Sequence, residues 1–267
     1  MKLQKQLILL AVIFFLTTCA LETRAQTAAG KVYEDMSRAE RLTFVGEQAR
    51  RIAREISGNE YAFTSDFEVD IQKAVTQYAQ RIGKSNDRDL RLVLDRGQAQ
   101  AARLSAAFRA RNVSPLIGLY IPWVESEYVN IPSPNPMGAI GMYQFLPKTG
   151  DHFGLSAQDL LDIDKSADAA ARYIAQSVEL YKDDPMKEAL ALLAYNRGEY
   201  RLTRDLKVLV NDQNRQCSIC ALTADRSKLD ETFRSESVFY VPRFFAAAII
   251  GENPQAFGLQ MTPLSSR

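Results

Sequence analysis

The chain has 267 residues, 46% of them hydrophobic, and a formal net charge of +1. That is enough apolar material for one or two domains with a sizeable core, and it excludes wholesale disorder. The absence of a basic excess argues against nucleic acid as the main partner, and a single histidine, His152, leaves acid–base chemistry to a carboxylate.

The N-terminus reads as an export signal. Lys2 and Lys5 precede an unbroken apolar run, Leu7 to Leu16, which is shorter than the roughly 20 residues of a membrane span. Two endings stay open. Thr23-Arg24-Ala25 places small residues at both cleavage-determining positions, so that residues 1–25 would be removed. Leu16-Thr17-Thr18-Cys19 instead resembles a loose lipobox with Cys19 as the acylated residue. Residues 26–36 are small and polar and read as a tether.

From Ser37 onward the text is helical. Ser37 and Glu40 have capping-box spacing, and Leu42, Val45, Ala49, Ile52 and Ile56 keep one face. Phe67, Ile71, Val75, Tyr78 and Ile82 repeat the pattern up to Gly83, and the Arg- and Ala-rich residues 88–111 predict a third helix. Ser114-Pro115 then opens the apolar run Leu116 to Ile121, with Pro122 as a kink or an early stop. After the Pro-rich loop around 131–137, residues 139–155 predict a short helix and a turn, and 166–182 and 185–198 predict strong helices. Residues 203–235 read as a loop or loose insertion, and 238–254 as a last apolar helix. No run alternates with strand period, so the fold class is all-α.

Two features carry chemistry. Glu125 ends the greasy segment beside Trp123. A carboxyl buried there would have a raised pKa, as a general acid at neutral pH requires; a glutamate pointing out from the helix surface is the plainer reading. Glu127 cannot pair with it, since residues two apart on a helix do not face each other. Cys217 and Cys220 lack the βαβ setting of a redox motif and the further ligands of a zinc site. A disulfide that staples a loop is expected, with a free thiol pair as the alternative. No metal or cofactor is expected.

The blocks "WVESEY", "GAIGMYQFLP", "ALLAYNRGEYR" and "YVPRFFAAAI" with "NPQAFG" resemble, in order and spacing, the lytic murein transglycosylases. The likeness is to the branch typified by the membrane-bound transglycosylase D, with goose-type lysozymes as more distant relatives. The resemblance implies a lysozyme-like (SLT) helical catalytic domain over 112–258, a helical N-terminal region over 37–111 and a tail over 259–267. It implies cleavage of the MurNAc-β-1,4-GlcNAc bond of peptidoglycan with formation of 1,6-anhydro ends. Glu125 would be the sole acid/base. Ser126, Asn135, Tyr143, Gln144, Tyr195 and Asn196 would line the substrate side, Ser126 also bracing the glutamate. Asn135 stands where the family usually has a serine, and Leu146 where it has methionine. A muramidase-type hydrolase and an inactive peptidoglycan-binding protein are the alternatives. The expected partners are peptidoglycan glycan strands, and the protein is expected to be a monomer exported to the periplasm, with any attachment to the outer membrane through a lipid at Cys19.

Overall fold

The computed structural model describes residues 30–211 and 213–266. The export signal, the cleavage site and Cys19 lie outside the described residues. Among those described, the protein is helical, and its only β-type pairing is an isolated bridge between Ile140 and Phe145.

Helix α1, Arg38–Ser57, begins with the predicted capping box: Glu40 N–H donates to Ser37 Oγ and Ser37 N–H donates to Glu40 Oε2. Helix α2, Ser65–Ala79, is capped by Thr64 and stops four residues short of Gly83, the intervening residues forming turns. Helix α3, Leu90–Arg109, is capped by Asp89 and packs along α4, Pro115–Ser126. Next come α5, Pro147–His152, then α6, Ile163–Leu180, and α7, Lys187–Arg197. The most buried helix, α11, Tyr240–Glu252, touches α1, α2, α4 and α7, and every residue of it except Arg243 is buried. A helix apolar on all sides belongs in the middle of a domain. Approach is close there: a Cβ on Gly251 would lie 2.4 Å from Tyr120 Oη.

Three expectations need correction. Residues 203–235 are not a loose insertion. They hold most of α8, Glu199–Leu209, then α9, Ser218–Ala224, and α10, Glu231–Ser235. Leu202, Leu206 and Leu209 give α8 an inward stripe, and Ile219 and Leu222 do the same for α9. The described part of the tether is no tether either, because Tyr33 and Met36 are buried and the Tyr33 ring lies 5.0 Å from that of Phe257. Nor do residues 259–266 trail away. Leu259 and Leu264 are buried, and the Ser265 N–H and hydroxyl both donate to Glu252.

Candidate active site

Helix α4 explains where Glu125 sits. Leu116 to Trp123 are all buried, so the helix runs through the core and surfaces only in its last turn. Pro122 does not end it. Having no N–H, Pro122 leaves the Gly118 carbonyl without its helical donor. The Tyr143 hydroxyl fills that vacancy at 3.1 Å. The helix then stops abruptly, with Glu127 and Tyr128 both in left-handed backbone (φ 51° and 62°). Such a backbone is strained for residues with a Cβ and persists only where the surroundings fix it. Here Glu127 is held by Arg81 at 2.8 Å, and the Tyr128 hydroxyl donates to the Leu119 carbonyl at 2.8 Å.

Glu125 therefore projects, half-buried, from the last turn of a buried helix. Its Oε1 accepts a 2.6 Å hydrogen bond from the hydroxyl of Tyr240, the first residue of α11. Burial pushes the Glu125 carboxyl up to about 7. The Tyr240 hydrogen bond pulls the other way, and the nearby negative charge of Glu236 adds to the rise. A carboxyl poised there can both give and take a proton near neutral pH.

Around it stand Tyr195 and Asn196 from the end of α7. Burial drives the Tyr195 phenol well up, and the charge of Glu125 contributes. The Tyr195 hydroxyl donates to the Tyr143 carbonyl at 2.8 Å, and only its oxygen remains to accept. Asn196 Nδ2 donates to Glu236 Oε1 at 3.2 Å, while its own Oδ1 is buried with no partner among the described residues.

The segment 135–145 is wedged between α4 and α7. Ser126 Oγ lies 2.7 Å from the Met142 carbonyl and Tyr195 holds the next one, so consecutive carbonyls are gripped from the two helices. Gly141 has φ 78°, and a Cβ there would lie 2.4 Å from the Leu160 carbonyl, so the turn requires glycine. Asn135 closes the loop on itself. Its Oδ1 accepts from the Met137 and Ala139 N–H groups, and its Nδ2 donates to Gln144 Oε1 at 3.2 Å. Gln144 is half-buried and also donates to the Gly141 carbonyl.

Of the residues expected to line the substrate side, the structure thus gathers Glu125, Tyr195 and Asn196. It places Asn135 and Gln144 in the loop that walls the site, and Ser126 at the end of α4, where its hydroxyl holds that loop. Tyr143 is a correction: its side chain is 0% exposed, committed to the gap left by Pro122, and out of reach of any substrate. Cys217 and Cys220 do form a disulfide, with Cα atoms 5.1 Å apart.

Three residues were missed. Tyr240 and Glu236 reach Glu125 only through the fold. The single sequence signal was a tyrosine opening an apolar helix, with a glutamate one turn before it. Arg197 is wholly buried, makes a bidentate pair with Asp230 and bonds buried Asp205, and so ties α7 to the start of α10. Arg197 also holds the Asp230 carboxyl well below the usual carboxylate range. A cavity of about 790 Å³ lies between α2 and the Cys217–Arg226 segment and is lined by none of the residues around Glu125. Proton chemistry, not cavity size, marks the site.

Residues 104–216 match the family described as Transglycosylase SLT domain. That stretch contains Glu125, Tyr195 and Asn196, and stops short of Glu236 and Tyr240. No curated protein matches the chain.

Proposed function

We propose, from the match of residues 104–216 to the transglycosylase SLT domain and from the surroundings of Glu125, that the chain is a lytic transglycosylase acting on peptidoglycan. The observation that carries the reading is the half-buried Glu125 carboxyl at the end of a buried helix, hydrogen-bonded by Tyr240 and with its pKa pushed up to about 7. Protonated Glu125 gives its proton to the glycosidic oxygen between N-acetylmuramic acid and N-acetylglucosamine as the C1–O bond breaks. The substrate's own acetamido oxygen shares the positive charge that develops at C1. Glu125, now a carboxylate, takes the proton of the muramyl C6 hydroxyl, whose oxygen attacks C1 and closes the 1,6-anhydro ring. The proton gained equals the proton lost, and no water is consumed. Attack from within one molecule gains from proximity. The Tyr240 hydroxyl is placed to support Glu125 in its charged form.

Glu236 favours a second reading. An inverting hydrolase needs a second carboxylate, about 6.5–9.5 Å from the acid, to direct water. Glu236 is a carboxylate whose charge reaches Glu125 and whose side chain Asn196 fixes.

Digestion of purified sacculi by wild type and by Glu125→Gln, read by mass spectrometry, separates the readings. Products with 1,6-anhydromuramic ends, absent with the variant, are expected. Reducing ends heavier by one water would replace the transglycosylase with the hydrolase. Sacculus binding without products would leave a protein that only attaches to the wall. Export to the periplasm completes the proposal, and the mass of the mature N-terminus tests it: a start at unmodified Gln26 excludes a lipid on Cys19.

A further inference from the structure

Two consecutive residues at the end of α7 hold the two ends of α10. Arg197 donates from both terminal nitrogens to Asp230, at 2.9 and 2.7 Å, and Asn196 donates to Glu236, the residue that follows the helix. Asp230 is also the N-cap of α10, accepting from the Phe233 N–H at 3.0 Å, and the Arg197 guanidinium lies over the Phe233 ring. From behind, Asp205 of α8 anchors Arg197 at 3.0 Å. Exposed Arg204 pairs with both carboxylates, so two cations face two anions and the cluster has no net charge.

A buried ion pair adds little net stability over apolar packing of the same volume, because desolvation offsets the attraction. What a two-pronged guanidinium does supply is a fixed distance and angle. The segment fixed here leads straight to the acid. Glu236 follows α10, the turn Ser237–Phe239 follows Glu236, and Tyr240 then donates to Glu125. The titratable groups that face Glu125 are Tyr240 and Glu236 from this segment and Tyr195 from α7. All three lie on the two stretches that Arg197 joins. Glu236 is exposed, and Asn196 is the one hydrogen-bond partner of its carboxylate among the described residues.

We infer that the Arg197–Asp230 pair is a positioning unit for the acid: it holds α10 against α7 and so fixes the place of the Glu236 carboxylate beside Glu125. The pair acts through Glu236 and not on the substrate. The inference rests on Glu125 as the working acid, and it holds for a transglycosylase and for a hydrolase alike. A clamped Glu236 keeps its negative charge near Glu125 and favours the protonated form. A released one swings into solvent, and Glu125 then ionises at lower pH.

Asp230→Asn tests this with little damage elsewhere. Asparagine caps a helix as well as aspartate does, so α10 keeps its start, but one prong of the fork now meets an amide nitrogen that cannot accept. The Glu125 midpoint is read without turnover, from the NMR shift of its carboxyl carbon in glutamate-labelled full mature chain, assigned by its absence in Glu125→Gln. The expected midpoint is about half a unit lower, the same drop as in Glu236→Gln, with no further drop when the two substitutions are combined. Arg204→Gln, which removes the exposed cation from the same carboxylates, should leave the midpoint in place. In digests the basic limb of the pH–rate profile should move down with the midpoint. If Asp230→Asn does not fold, Arg197→Lys, which keeps the charge and loses the fork, carries the same expectation. An unchanged midpoint in the folded variant, a drop that adds in full to that of Glu236→Gln, or an equal drop in Arg204→Gln would overturn the inference. The expected midpoints in a protein that releases no glycan products would refute the proposed activity and leave the positioning role standing.

Discussion

The raised pKa of Glu125 has a thermodynamic signature that needs no substrate. Burial moves this carboxyl from 4.5 to about 7 on folding. Below about pH 4.5 the group is protonated in folded and unfolded chains alike and costs nothing. As pH rises the unfolded chain loses the proton first, while the folded protein keeps it, so stability falls. Above about pH 7 both states are ionised and the folded state bears the whole penalty. At about 1.36 kcal/mol per pKa unit the full shift is worth about 3 kcal/mol, and partial solvent access reduces this to about 2 kcal/mol. Glu125→Gln keeps the shape and the Tyr240 acceptor but has no proton to lose. The variant should match wild type in stability at pH 4 and exceed it by about 2 kcal/mol at pH 8. In thermal melts of a chain this size that is a Tm gap of about 4–8 °C, opening between pH 5 and 7. A gap that does not vary with pH, or one that closes as pH rises, would refute the burial argument and with it the idea that Glu125 holds a proton at neutrality.

Other outcomes follow from single contacts. Tyr240→Phe removes a hydrogen bond that favours the charged form, so the basic limb of the pH–rate profile should move to higher pH. Glu236→Gln removes a like charge and should move that limb to lower pH; shifts in the same direction would show that the two residues do not act through Glu125. Arg197→Ala strands buried Asp205 and should destabilise the protein by about 3–5 kcal/mol in urea unfolding, whereas a loss under about 1 kcal/mol would mean that Arg204 and water suffice for Asp205. Gly251→Ala forces a Cβ against Tyr120 and should cost about 1–3 kcal/mol in the same assay.

Local features were legible in the sequence, and features made by tertiary contact were not. The Ser37–Glu40 capping box and the Pro115 start of α4 depend on neighbours a few residues apart. Helix α8 was readable too: Leu202, Leu206 and Leu209 keep helical spacing, but many charged residues between them masked the stripe. Tyr143 shows the opposite limit. Its place in a block next to Gln144 suggested a ligand contact, yet its hydroxyl is taken by the carbonyl that Pro122 leaves free, 25 positions upstream. Tyr240 meets Glu125 across 115 positions, and no periodicity announces such a meeting. The glutamate stood out because an apolar helix ends in it, but local pattern alone favoured a surface residue, and its role as acid/base came from the family resemblance.

The contact of the Tyr33 ring with that of Phe257 has a consequence for the chain as a polymer. These rings lie near the two ends of the described residues, so the fold is a ring fastened by a noncovalent clasp. The clasp closes a loop on the order of 220 residues and gives little back for that entropy, which makes it a natural place for unravelling to begin. A covalent fastener there, made from two introduced cysteines, would act almost wholly on the denatured ensemble. In the chain-entropy account it would remove about 5 kcal/mol of that ensemble's freedom.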